Sequence, residues 1–140
     1  MRTHPGIVAV FVIGLISVSL PCLGGTILST ERSVEELKLM TTPELAGEAR
    51  RVCGGIVASM KNAQEWSAEG TKRRDSKFHD NARKESELAA AGRRYLERIG
   101  LVIRDRQHGQ MPPWFEAMTA SKTQEACDAA ATAGGWRPKQ

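Results

Sequence analysis

Residues 42–70 read TPELAGEARRVCGGIVASMKNAQEWSAEG, and the apolar positions within them decide the fold. Leu45, Ala49, Val52, Ile56, Met60 and Ala63 recur at steps of 4, 3, 4, 4 and 3. That is one stripe of an α-helix, and no strand period competes with it. Thr42 is the expected N-cap, Pro43 suits the first helical position, and Glu44 meets the positive end of the macrodipole. Gly54 and Gly55 interrupt the stripe, each at about 1 kcal/mol relative to Ala. Their presence implies a close approach by another backbone beside Cys53, or a bend. Gly70 is the expected stop.

Working outward, a second helical region is expected over residues 71–106. Phe78, Ala82, Ala89, Leu96, Ile99 and Ile103 share one face, and Leu88, Ala91, Tyr95 and Val102 flank it. The spacing of Ile99, Val102 and Ile103 carries the helix past Gly100. A third helix begins at Met111-Pro112-Pro113-Trp114 and runs to Ala133, where Gly134 and Gly135 stop it. Ser121-Lys122-Thr123-Gln124 has the form of an internal capping box that would split it. Upstream, Ser33-Val34-Glu35-Glu36 has the same S-x-x-E form and predicts a short helix through Met40.

The expected fold is therefore all-α, a small three-helix up-down-up bundle after an N-terminal signal segment. Residues 1–24 are read as that segment, 25–41 as a linker with a short helix, 42–133 as the bundle and 134–140 as a tail. From Gly6 to Thr30 no side chain is charged, and Ile7–Leu20 is an apolar run closed by Pro21. The run fits the apolar core of a secretory leader and is short for a bilayer span of ~20 residues. Small residues at Cys22 and Gly24 place cleavage near Gly24. An uncleaved inner-membrane anchor extending through Leu28 is the alternative.

Three cysteines are present, Cys22, Cys53 and Cys127. Removing the leader discards Cys22 and leaves an even pair in an oxidising compartment, so the leader and the thiol count support one another. A Cys53–Cys127 bridge closes a loop worth roughly 4 kcal/mol in chain entropy. In an up-down-up bundle the first and third helices run parallel. The two cysteines would then stand within roughly 6 Å of the same height at ~1.5 Å rise per residue.

The 140 residues carry 20 Lys plus Arg against 16 Asp plus Glu, a net charge of +4, with 5% aromatic and 41% apolar residues. That balance lacks the dense basic signature of a nucleic-acid binder. No G-x-S-x-G, Walker A or G-x-G-x-x-G motif occurs, and no Cys is paired with a convincing His and acid, so no enzyme is expected. No cofactor is expected either. The runner-up reading is a small haem- or metal-carrying bundle using His79 or His108 with a methionine.

Lys72-Arg73-Arg74 and the cluster Arg93, Arg94 and Arg98 make the second helical region basic. The leading expectation is a non-catalytic, periplasmic binding or accessory protein of the bacterial envelope. It would meet an envelope protein partner, a second copy of itself, or an anionic membrane or cell-wall surface through Arg93, Arg94, Arg98 and Trp136. A membrane-anchored accessory subunit of an envelope complex is the third reading.

Overall fold

A computed structural model describes residues 31–140. The expected leader, its cleavage site, Cys22 and the start of the linker lie outside the described residues. Those described form an all-helical fold: α1 (Val34–Leu39), α2 (Thr42–Arg73), α3 (Ser76–Arg106), α4 (Pro113–Ala120) and α5 (Gln124–Ala133).

Both N-terminal helices start on reciprocal caps. The Glu36 N–H donates to Ser33 Oγ and the Ser33 N–H returns to the Glu36 carboxylate at 2.7 Å. Thr41 and Glu44 repeat the arrangement, with the Thr41 N–H donating at 2.6 Å. The cap of α2 is therefore Thr41, one residue before the expected Thr42, because Glu44 stands three residues after Thr41 and closes a capping box with it.

Helix α2 continues without a break through Gly54 and Gly55 to Arg73. What approaches Gly54 is a side chain, not the expected backbone. A Cβ on Gly54 would strike the Gln124 side chain, and Gly55 is itself buried. Gly70 does not stop the helix; it lies against the His79 ring, 3.0 Å from a would-be Cβ. Arg74 caps α2 in the left-handed region at φ 53°. Asp75 then starts α3, its carboxylate accepting from the Lys77 N–H at 2.9 Å. Helices α2 and α3 thus make an antiparallel hairpin, with Trp66 on Phe78 near its turn and Glu48 on Tyr95 lower down.

The third helix is divided at the tetrad Ser121-Lys122-Thr123-Gln124, where the sequence offers a split. Helix α4 runs alongside α2 in the same direction, with Trp114 beside Ala46 and Met118 at the level of Cys53. The chain reverses at residues 121–123, where Thr123 accepts from the Ala126 N–H at 3.2 Å and caps α5. Helix α5 then descends antiparallel to α2, through Gln124 on Gly54, Asp128 on Arg50 and Gly134 on Ala46. Hence the last segment adds two short rods where the up-down-up reading has one.

The Cys53 and Cys127 sulfurs are at bonding distance, 1.99 Å, with their Cα atoms 5.9 Å apart. They meet because α5 folds back, not because one long helix climbs in register. Around them Leu37, Leu45, Val52, Tyr95, Ile99, Phe115 and Met118 form the core. All of it lies in the lower half of the hairpin, against α1, α4 and α5. Above that base, α2 and α3 continue as a two-helix arm. From Met60 to Arg73 it extends about 20 Å at 1.5 Å per residue. Among the described residues, no hydrogen bond or ion pair joins residues 65–92 to a helix outside the hairpin.

Candidate functional site

Where the arm leaves the base, an open groove of about 1030 Å³ is formed. Its wall is the half-buried Ile56, Val57 and Met60 of α2 with Leu96 of α3; its floor is Met118 and the chain from Thr119 to Glu125. Lys61, Gln64, Arg93 and Glu97 stand on its rim. The groove exists because α4 and α5 stop at the height of Gly54 while the apolar stripe of α2 continues upward. A concave apolar surface with a mixed-charge rim suits the binding of an apolar or amphiphilic group. Nucleophile, base and orienting group do not converge there.

The arginines read as one cluster occupy different environments. Arg93 is on the groove rim, and Arg94 is exposed. Arg98 is paired with Glu31 and lies 5.8 Å from the Tyr95 ring. It fastens the segment before α1 to α3 and does not stand free beside Arg93 and Arg94. Nearby, Arg106 donates to the Lys38 carbonyl at 2.9 Å and to that of Met40, closing the end of α1.

Trp136 folds back onto the base. Its ring sits where a Cβ on Gly47 would be, 2.7 Å away, and the Arg50 guanidinium lies 4.3 Å from its centroid. Arg50 Nε also faces Asp128 Oδ1 at 2.7 Å, as an ion pair whose angle falls short of a hydrogen bond. One edge of Trp136 lines a shallow cleft of about 550 Å³ with Arg32, Glu44 and Arg137. The tail is thus part of the fold, and the ring has one contacted side and one open edge.

A partly buried polar relay had no signal in the sequence beyond the placement of Tyr95 on a flanking stripe. The Tyr95 hydroxyl donates to Glu48 Oε1 at 2.8 Å and accepts from the Arg32 N–H at 2.9 Å. Glu48 also receives two hydrogen bonds from Arg51, at 2.8 and 3.3 Å. Burial pushes the Tyr95 hydroxyl up to about 12, with the Glu48 charge adding to it. Burial alone would raise Glu48, but hydrogen bonds from Arg51 and Tyr95 outweigh it and hold the carboxyl below its ordinary range. The relay ties the start of the described chain to both halves of the hairpin, and no group in it faces the groove.

His79 begins α3 and His108 follows its end, roughly 40 Å apart at 1.5 Å per residue, so they do not share a ligand. His108 takes φ 54° in an exposed loop. Among the described residues, no three His, Cys, Asp or Glu side chains gather as a metal site. Among those residues also, no helix is long and apolar enough to cross a membrane.

The chain was compared with protein-family models, with curated proteins and with solved structures, and it matches none of them.

Proposed function

We propose that this chain is a non-catalytic binding or accessory protein of the bacterial envelope, exported behind a leader over residues 1–24. On this reading a disulfide-tied base holds a helical arm, with Arg93 and Arg94 at its root, out to a protein partner or an anionic envelope surface. The observation that carries the reading is the arm itself. It is a two-helix extension that packs only on itself, that no other helix covers, and that has an apolar groove at its root. The Cys53–Cys127 pairing supports the compartment, because such bonds persist where thiols are not kept reduced. The uncharged Gly6–Thr30 segment supplies the route.

The test is recovery of bound material from envelope extract on the exported protein, beside an Arg93→Glu/Arg94→Glu variant. Arg98 is left alone because its pairing with Glu31 makes it part of the fold. Loss of a specific partner from the variant supports the reading. Equal recovery of every component on both proteins removes the basic face from it.

A further inference from the structure

We infer that the apex of the hairpin docks end-on against a bilayer surface containing anionic phospholipid; this rests on the envelope reading above and names its partner. The apex is where α2 ends and α3 begins, and it carries Lys72, Arg73, Arg74 and Lys77. Its two acids are already engaged. Glu69 pairs with Arg73, and the Asp75 carboxylate caps α3 through the Lys77 N–H. Among the described residues, Lys72, Arg74 and Lys77 have no carboxylate within ion-pair distance. With Glu69 and Asp75 counted against Lys72, Arg73, Arg74 and Lys77, the apex keeps a net charge of +2 at the end of the hairpin remote from the core, a shape suited to a flat anionic surface and poorly suited to a closed pocket.

One further observation favours a bilayer over a folded acidic partner. The Trp66 and Phe78 rings pack at a tilt, their centroids 5.4 Å apart, just behind the cations, and Trp66 remains 37% exposed. Aromatic rings behind a basic edge are the side chains that prefer the headgroup boundary. Arg74 is held at φ 53°, a conformation that glycine adopts without strain and arginine does not. The apex thus keeps a cation at a position where backbone energetics favour Gly.

Each Lys or Arg brought to an anionic leaflet strengthens binding by about fivefold, and the gain is screened by salt. The test is partition of the protein purified from its host envelope onto vesicles of phosphatidylcholine with and without phosphatidylglycerol, at low and high salt. Binding is expected only with phosphatidylglycerol, and it should weaken on the order of 100-fold in Lys72→Gln/Arg74→Gln/Lys77→Gln. Arg74→Gly is the control for folding: it relieves the left-handed strain and should melt no lower than the parent, yet bind about fivefold more weakly. If the purified form retains residues 7–28, brominated acyl chains that quench Trp66 replace partition as the readout, with Trp66→Phe isolating that ring.

Equal binding to neutral vesicles, binding to lipopolysaccharide alone, or binding indifferent to all three cations overturns the inference. If vesicle binding is absent while Arg93→Glu/Arg94→Glu still loses a protein partner, the apex assignment falls and the accessory reading stands. A cytosolic protein with free thiols removes the accessory reading whatever the vesicles show.

Discussion

Tyr95, on α3, donates its hydroxyl hydrogen to Glu48 of α2 at 2.8 Å while accepting from the backbone N–H of Arg32 at 2.9 Å. One phenol thus joins the two long helices and the segment that enters the fold. Tyr95→Phe leaves the Arg32 N–H and one Glu48 oxygen without that partner. The expected cost is about 1–2 kcal/mol, read from urea unfolding at pH 7. An unchanged midpoint would mean that the relay contributes nothing.

The same pair sets a pH signature. Glu48 lies below its ordinary range when folded, so its contribution is present above that range and is lost as the pH falls through the folded value. Tyr95 lies above its ordinary value, at about 12, so its contribution is complete below pH ~10 and is lost as the pH rises toward 12. The stability difference between the parent and Tyr95→Phe should be flat near neutrality and shrink at both extremes. A difference independent of pH would contradict the assignment.

Two glycines of the hairpin should respond with opposite signs. A Cβ on Gly100 would meet the buried Phe115 ring at 2.7 Å, and a ring fixed in the core has little room to move. Gly100→Ala should therefore destabilise by about 1–2 kcal/mol despite the gain in helix propensity. At Gly54 the obstacle is the end of the exposed Gln124 side chain, which can swing away and forfeit only its surface bond to Asp128. Gly54→Ala should stabilise by about 0.5 kcal/mol. Matched thermal melts decide both.

Trp136→Ala removes the ring from between Gly47 and Arg50. The expected loss is about 1–2 kcal/mol from the apolar area and the cation–π contact. Gly47→Ala should leave the helix intact but displace the indole, seen as a shift in tryptophan emission. A mutant tail that melts with the parent would show that Trp136 contributes nothing to the base.

The hairpin was legible in the sequence because its information is local. The stripe from Leu45 to Ala63 and the run from Ile99 to Ile103 each state a helix on their own. The division of the third helix was half legible. Extending the Phe115–Met118 stripe by one turn places Ser121 and Lys122 at core positions, a conflict that marks the break, but the alanines on either side mask it. The cap is Thr123, inside the tetrad rather than at its start. The pairing of the cysteines was anticipated on the wrong geometry, since two short rods bring Cys127 to the height that one long rod was expected to reach. Contacts such as Glu31 with Arg98 and Glu48 with Tyr95 join residues far apart in the chain, and no local pattern encodes them. The groove and the bare arm follow from where α4 and α5 stop, so they too needed the fold.

Opening the Cys53–Cys127 bond should cost about 4 kcal/mol, because the unfolded chain regains a loop of 74 residues of separation. Urea unfolding with and without a reductant measures it. Coincident transitions would remove the bond from the stability of the domain.

The most direct test of the account is the intact mass of the protein isolated from its native host, before and after reduction and alkylation. Export predicts a chain beginning near Gly25, lighter by the leader, whose two remaining cysteines react with the alkylating agent only after reduction. A chain that keeps its first residues on the cytosolic side and has Cys53 and Cys127 alkylated without reduction would contradict it.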